Sequence, residues 1–298
     1  MGFHLQFRVA AFLILLCFMS CSPKVQSSKS PVTTDVAKTD ESLYEHIETD
    51  LNDKELDAFF ADAKIGTADI VKLEALRPRR LSFMDCEIEK DAVQRLTQLA
   101  SLERLALHGC TVDDNSLIGI DRLTNLVELD LAATQVGDET LKRIATLKNL
   151  TSLNVIHTTI TSRGVQYLSG MPLKELGLVQ NPIGDDGLLA LRDMNTLQEL
   201  QVEETGITND GLRHLGGLIE LRVLTVHNND GVDESGLAHL ERLTKLETFY
   251  FCNPVTESGV KSLRQLKSLK NFYIGGAMRD TRRGRDWLST QLPGVGIY

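Results

Sequence analysis

A cysteine and a histidine are spaced so that they could act together as a nucleophile and a base. Cys252 follows His227 by 25 residues, and an imidazole beside a thiol can generate the thiolate used in acyl transfer. Such a pair also needs an acid to orient the imidazole and a pocket that excludes water. Neither is apparent around these residues. We therefore predict no catalytic residue and a chain that is not an enzyme.

Two pairs of acids, Asp113-Asp114 and Asp185-Asp186, could be considered as cation ligands. A calcium loop needs a dense series of oxygen ligands, which these pairs lack. Acids that precede a helix commonly accept hydrogen bonds from its first N–H groups, so we interpret both pairs as helix caps. The sequence also has no phosphate-binding glycine loop, zinc-protease motif or dinucleotide fingerprint. We predict no metal, no cofactor and no small-molecule substrate.

The charge balance and the cysteines narrow the class of partner. The chain has 41 acidic and 32 basic residues, a formal net charge of -9. A general nucleic-acid binder needs an excess of lysine and arginine to neutralise phosphates, so we expect no nucleic-acid partner. The five cysteines form no C-x-x-C pair, which argues against zinc-ribbon and thioredoxin-type sites. We expect the partner to be another protein.

The elements that position these residues repeat along the chain. The pattern L-x-x-L-x-L, or a close variant, starts at residues 78, 102, 126, 150, 173, 197, 221, 246 and 269. A turn follows each copy, and then aliphatic residues spaced by three, as in Leu117-Ile120-Leu123. Alternating leucines predict a strand with one inward face, and spacing by three predicts one face of a helix. Stacked copies can share a continuous core.

The stretch after one such strand, Thr205-Gly206-Ile207-Thr208-Asn209-Asp210-Gly211-Leu212, resembles the helix-containing leucine-rich repeats of the ribonuclease-inhibitor-like and F-box-associated type. The resemblance covers about residues 55–298. It implies an α/β solenoid shaped as a horseshoe, with parallel strands on the concave face and short helices on the convex face. It also implies that the residue after each strand bonds inward to loop backbone, so we interpret Cys86 and Cys110, which occupy that position, as structural.

The predicted concave face has three zones. It is basic at Arg104, acidic in its middle copies and aromatic near its end. Exposed tyrosine beside charged residues is typical of protein-binding hot spots. The predicted partner-binding residues are Tyr250, Tyr273, Glu203, Glu199, Gln201, Glu175, Asp130, Glu128, Arg104 and His227.

The N-terminus has the layout of a secretory signal. Val9–Phe18 is continuously apolar but is about half the length of a membrane-spanning helix. The sequence Phe18-Met19-Ser20-Cys21 resembles a bacterial lipobox, in which cleavage precedes a cysteine that is then lipidated. The resemblance implies that Cys21 carries a lipid anchor, although Phe18 and Met19 depart from the usual Leu and small residue. A plain signal peptide, and hence a secreted protein, is the alternative.

These patterns predict four segments: a signal peptide at 1–20, a lipidated cysteine and disordered linker at 21–43, an N-terminal helical cap at 44–77, and about nine repeats with a C-terminal cap at 78–298. We expect an exported monomer at the bacterial cell envelope, in contact with the membrane only through its lipid anchor. The predicted function is protein–protein interaction. A structural spacer without a specific ligand is the alternative, and a ubiquitin-ligase substrate adaptor is a weaker one.

Overall fold

A computed structural model of the chain describes residues 47–50, 55–275 and 282–298. Contacts divide the chain into two units, residues 1–40 and residues 41–298, and every described residue belongs to the second. The predicted signal peptide, Cys21 and the linker up to residue 43 lie outside the described residues. Within the described ranges, no helix is both long and apolar enough to cross a membrane.

A single sheet of 12 strands runs through the second unit. Only the first two strands pair antiparallel, and from β2 to β14 the neighbours in this sheet are parallel. A separate two-stranded sheet pairs β3 with β5. The strands are β1 Ile47–Asp50, β2 Glu55–Ala61, β3 Lys64–Ile65, β4 Arg80–Met84, β5 Glu87–Ile88, β6 Arg104–His108, β7 Glu128–Asp130, β8 Ser152–Asn154, β9 Glu175–Gly177, β10 Glu199–Gln201, β11 Val223–Thr225, β12 Thr248–Tyr250, β13 Asn271–Tyr273 and β14 Gly296–Ile297.

The sheet follows the sequence repeat without a slip. Each of the nine strands β4 and β6–β13 begins two residues after a predicted repeat start. Equivalent residues therefore pair across neighbouring strands, as Leu129 does with Leu153. The central leucine or phenylalanine of each strand points into the core and is buried. The predicted α/β leucine-rich-repeat solenoid is confirmed.

Short helices return the chain to the next strand. The α-helices are Thr67–Ala75, Lys90–Leu96, Asp138–Ile144, Ser162–Gln166, Gly184–Leu191, Asn209–Leu212, Glu257–Leu263 and Arg282–Gln291, and the 3₁₀ segments are Ile120–Arg122, Arg213–Gly217 and Glu234–Leu240. In a 3₁₀ helix, residues three apart lie on the same face. Leu237 and Leu240, three residues apart in the segment Glu234–Leu240, are accordingly both buried. The spacing by three thus fits the tighter helix in several copies.

The predicted helix that opens the N-terminal cap is wrong. Residues 55–61 form strand β2, which pairs with β4 in the repeat register, so that Phe60 lies beside Phe83. Phe60 is 3% exposed and Phe59 is 43% exposed, the alternation of a strand. The Phe60 and Phe83 rings stack with centroids 5.1 Å apart. The cap is therefore a further repeat, and only its second half, Thr67–Ala75, is helical as expected.

Hydrogen bonds between repeats confirm the inward role of the residue after each strand. Cys86 Sγ donates to the carbonyls of Phe60 and Met84 at 3.6 and 3.4 Å. Asn229 makes more hydrogen bonds than Cys86. Its Nδ2 donates to the buried carbonyls of Val202 and Val226, while its Oδ1 accepts from N–H groups of the preceding repeat. Burial raises the pKa of the Cys110 thiol to about 12. Both cysteines are buried and free.

Acids of the turns cap helices in the next repeat. Asp114 Oδ1 accepts hydrogen bonds from the N–H groups of Gly137 and Thr140. Asp185 accepts from the N–H and the hydroxyl of Thr208, both at 2.7 Å. A Cβ on Gly211 would lie 2.1 Å from Asp185 Oδ1, so glycine is needed there to admit the carboxylate. The prediction that these acids cap the helix directly after them is therefore wrong for Asp114 and Asp185. Both bond to the start of the helix one repeat further on, and so join consecutive repeats.

Candidate protein-binding face

The predicted binding residues lie on one side of the sheet. We use "sheet face" for the side that points away from the core, formed by the residues two, four and six places after each repeat start. Because the strands are parallel and in register, residues at the same place form a row across the sheet. Neighbouring members of a row are about 4.8 Å apart, the spacing between strands. Thr225, Tyr250 and Tyr273, for example, are consecutive members of the middle row. All ten predicted residues belong to this face.

Tyrosines stack along the middle row at the C-terminal end. The rings of Tyr250 and Tyr273 lie 3.9 Å apart between centroids and are 9° from parallel. Tyr298 extends the stack, with its ring 4.9 Å from that of Tyr273. Tyr298 is 51% exposed. The sequence reasoning missed Tyr298, although it follows Tyr273 by 25 residues, a repeat length.

The predicted basic and acidic zones meet at an ion pair. Arg104 lies 2.9 Å from Glu128 on the next strand, and both side chains are partly exposed. Burial raises the pKa of Glu128, while the Arg104 charge opposes that rise. Burial also raises the pKa of Asp130, whose Oδ1 accepts a hydrogen bond from the Ala132 N–H at 2.9 Å. Asp130 is thus held by its own loop.

Neutral partners hold the acids of the next strands. Glu175 accepts a hydrogen bond from the Ser152 hydroxyl at 2.9 Å, and Glu199 accepts one from Gln201 Nε2 at 2.8 Å. Burial raises the pKa of Glu199, and repulsion from Glu175 adds to the rise. Glu175 is exposed, while Glu199 and Gln201 are partly buried. These three side chains are thus at least partly accessible on the sheet face.

Glu203 and His227 are on the sheet face but are not exposed. They are 5% and 3% exposed, and Glu203 Oε1 lies 3.8 Å from His227 Nδ1. Burial raises the pKa of Glu203 to about 7 and lowers the pKa of His227. Both shifts favour the neutral forms. The expectation that these two side chains are exposed is therefore wrong. His227 lies on the strand between those of Glu203 and Tyr250, and its ring is close to both side chains.

Cys252 is an exception to these rows: it lies six places after its repeat start but does not continue the row of His227. It has φ 56°, the left-handed conformation, and its N–H donates to the Tyr273 carbonyl at 3.1 Å. In the preceding repeat this conformation belongs to Asn228, one residue beyond His227. The turn after β12 therefore begins one residue early. The spacing of 25 residues therefore does not place Cys252 beside His227, and the pairing considered from the sequence is wrong.

A row of polar side chains borders the sheet face and was missed from the sequence. His157, Gln180, Glu204 and Asn228 each follow the third face residue of their repeat and have φ between 53° and 57°. Gln180 Nε2 and Asn228 Nδ2 donate to the two carboxylate oxygens of Glu204 at 2.9 and 3.2 Å. His157 Nδ1 lies 2.7 Å from Gln180 Oε1. We call these four residues the border row.

Comparison with known proteins agrees with this architecture. A leucine-rich-repeat family profile matches residues 146–169 and 171–191. The chain is a leucine-rich-repeat protein. An internalin of Listeria monocytogenes superposes with a TM-score of 0.58 at 20% identity, over 77% of this chain and 69% of the internalin. A second internalin of the same bacterium gives a TM-score of 0.52 at 25% identity, over 63% and 76% of the two chains. No curated protein sequence matches.

Leucine-rich-repeat proteins generally serve as non-enzymatic interaction modules. The sheet of such a protein offers many parallel strands whose outward side chains can vary without disturbing the core. In this leucine-rich-repeat protein those outward side chains comprise an acidic stretch, a tyrosine stack and a buried acid between them. The arrangement is suited to binding an extended macromolecular surface.

Proposed function

We propose that this leucine-rich-repeat protein is a non-enzymatic protein-binding module of the bacterial cell envelope, and that it binds its partner through the sheet face. The observation that carries the proposal is the stack of Tyr250, Tyr273 and Tyr298 beside an acidic stretch. Tyrosines fixed by stacking lose little side-chain entropy on binding, and tyrosine is enriched in binding hot spots. The rings are held in place before a partner arrives.

A photoreactive side chain tests the location of the binding surface. Benzoylphenylalanine is introduced at Tyr273 on the sheet face, and at Tyr167 on the helix side as a matched aromatic control. Tyr167 is 37% exposed and Tyr273 is partly exposed, so both probes reach solvent. The cells are irradiated and cross-linked products are identified by mass spectrometry.

We expect the Tyr273 probe to cross-link one envelope protein in high yield and the Tyr167 probe to leave that protein unlinked. The same product from both positions would mean that contact is not confined to the sheet face. No product from Tyr273 would support the spacer alternative, in which the sheet face has no specific ligand.

The envelope location rests on the sequence that ends in Cys21. We propose that cleavage before Cys21 and lipidation of its thiol tether the repeats to the membrane as a monomer. Expression of the native sequence with a radiolabelled fatty acid should label the protein, and Cys21→Ser should abolish the label and release the protein from the membrane fraction. Cys17→Ser is the matched control and should keep both. Labelling that survives Cys21→Ser would contradict the tether.

A further inference from the structure

The acids in the middle of the sheet face lack a basic partner. Glu175, Glu199, Glu203 and Glu204 form no ion pair with lysine or arginine among the described residues. Their contacts are instead with hydroxyl and amide groups, apart from the buried imidazole of His227. The outward positions of β8–β12 contain no lysine or arginine. Elsewhere the same protein pairs its acids readily, as Arg222 does with Glu247 at 2.6 Å.

A second, independent observation concerns Glu203. Its Oε2 atom is buried and makes no hydrogen bond of normal geometry. The nearby Thr225 hydroxyl opposes the rise in the pKa of Glu203, but only in part. The side chain is 7% exposed. Buried polar atoms are nearly always hydrogen-bonded, and one that is not is costly. The carboxyl of Glu203 is thus held in the sheet face with too few contacts to offset the cost of burying its charge.

A positive group would complete this arrangement. Glu199 and Glu204 lie on the same strand region as Glu203 and repel it. A cation over this part of the sheet face would be attracted by all three acids, and the low polarity around Glu203 would strengthen that attraction. Two strands away, the ring of Tyr250 lies 6.3 Å from that of His227 and can contact the stem or the charge of such a group.

We propose that the sheet face recognises a basic segment of the partner protein, with a lysine or arginine side chain placed over Glu199, Glu203 and Glu204 beside Tyr250. This inference rests on the proposed function and specifies its partner. The acids provide the charge, the Tyr250 ring provides an apolar wall, and the border row around Glu204 provides further hydrogen-bonding groups. Arginine suits the site well, since its planar group both pairs with carboxylates and stacks on aromatic rings.

A phage-displayed library of random peptides tests whether the sheet face prefers basic peptides. The full chain in mild detergent selects peptides from the library, in parallel with Glu199→Gln/Glu203→Gln. The control Glu139→Gln/Glu257→Gln removes the same two charges from exposed helix positions. A further arm carries Tyr250→Ala. Circular dichroism checks that each variant is folded.

We expect the native chain and the helix-side control to enrich peptides rich in lysine and arginine. The selected peptides should bind Glu199→Gln/Glu203→Gln about tenfold more weakly than they bind the native chain, because charge-assisted contacts are lost. The Tyr250→Ala chain should also bind them more weakly.

Three results would overturn the inference: no basic enrichment, equal binding by Glu199→Gln/Glu203→Gln, or equal weakening in the helix-side control. The last would mean that net charge alone attracts the peptides. If the native chain selects uncharged peptides that Tyr250→Ala loses, the basic partner is excluded while binding through the sheet face stands. If no variant of the sheet face changes the selection, both proposals fail.

Discussion

The ring of Tyr250 stacks on that of Tyr273 at a centroid distance of 3.9 Å. The two residues pair directly across β12 and β13, so the parallel register itself brings the rings face to face. A pair of this kind contributes about 1 kcal/mol beyond the area it buries. The stack therefore serves two ends, since it couples neighbouring repeats and fixes a surface for binding.

The stacking energy is measurable by a double-mutant cycle. Tyr250→Ala, Tyr273→Ala and the double variant are compared by denaturant unfolding of the full chain. We expect a coupling free energy of about 1 kcal/mol between the two positions. Tyr250 and Tyr167, which lie on opposite sides of the repeat, provide the control cycle and should show no coupling. Additive effects at Tyr250 and Tyr273 would contradict an energetic role for the stack.

Glu203 should make the free energy of unfolding depend on pH. Its pKa rises from 4.5 to about 7 on folding, so the folded state holds the proton more tightly than the unfolded state. Stability contributed by the protonated acid is present below pH 4.5 and is lost as pH rises to about 7. The loss is about 3 kcal/mol.

Glu203→Gln should remove this loss, because the amide carries no charge at any of these pH values. Relative to the native chain, the variant should be nearly neutral at pH 4 and more stable at pH 8, by up to about 3 kcal/mol. Denaturant unfolding at both values measures the difference. The exposed Glu139→Gln should show little change between them. A Glu203→Gln effect that is the same at pH 4 and pH 8 would mean that burial does not govern this group.

Asp185 should stabilise the fold by linking two repeats. It accepts two hydrogen bonds from Thr208 at the start of the next helix. We expect Asp185→Ala to lower the free energy of unfolding by about 1–2 kcal/mol. The neighbouring Asp186 is exposed, and Asp186→Ala should cost no more than about 0.5 kcal/mol. Equal effects at the two positions would indicate that negative charge near the helix N-terminus stabilises the fold, rather than the hydrogen bonds from Thr208.

Asn229 should be among the costliest polar residues to replace. Its side chain satisfies buried carbonyls of Val202 and Val226 and the N–H groups of Thr205 and Gly206. We expect Asn229→Ala to cost about 3 kcal/mol or more, because several buried backbone groups lose their partners. Asn149 donates a single exposed bond to Thr124, so Asn149→Ala should cost under about 1 kcal/mol. A loss of stability at Asn229 as small as that at Asn149 would show that water replaces the Asn229 contacts.

The repeat and the strands β4 and β6–β13 follow from the sequence, because a period of about 24 residues leaves one register. How deeply a side chain is buried cannot be predicted from this pattern. Alternation places Glu203 and His227 on the sheet face, but their burial depends on the sizes of side chains from adjacent strands. Those neighbours are about 25 residues away in sequence. The prediction for Cys252 was wrong for a related reason, since the leucine pattern does not change when a turn begins one residue early.

The first repeat shows a different limit. Leu56, Phe59, Phe60 and Ala63 fit a helical face, and the acids and asparagine before them suggest a helix start. The pairing of β2 with β4 decides otherwise, because Phe60 completes the core below Phe83. Ala58, Phe60, Ile65, Ile70 and Leu73 precede Leu81, Phe83, Ile88, Val93 and Leu96 by 23 residues each. That match was the available signal for a strand.

The most direct test of the central claim is the affinity of the sheet face for the partner that the Tyr273 cross-link identifies. Titration calorimetry compares the native full chain with Tyr250→Ala, Tyr273→Ala and the helix-side control Tyr167→Ala. Binding through the sheet face predicts at least about a tenfold loss of affinity for each of the first two variants, as expected for hot-spot residues, and native affinity for the control. Native affinity in all three variants would contradict the account.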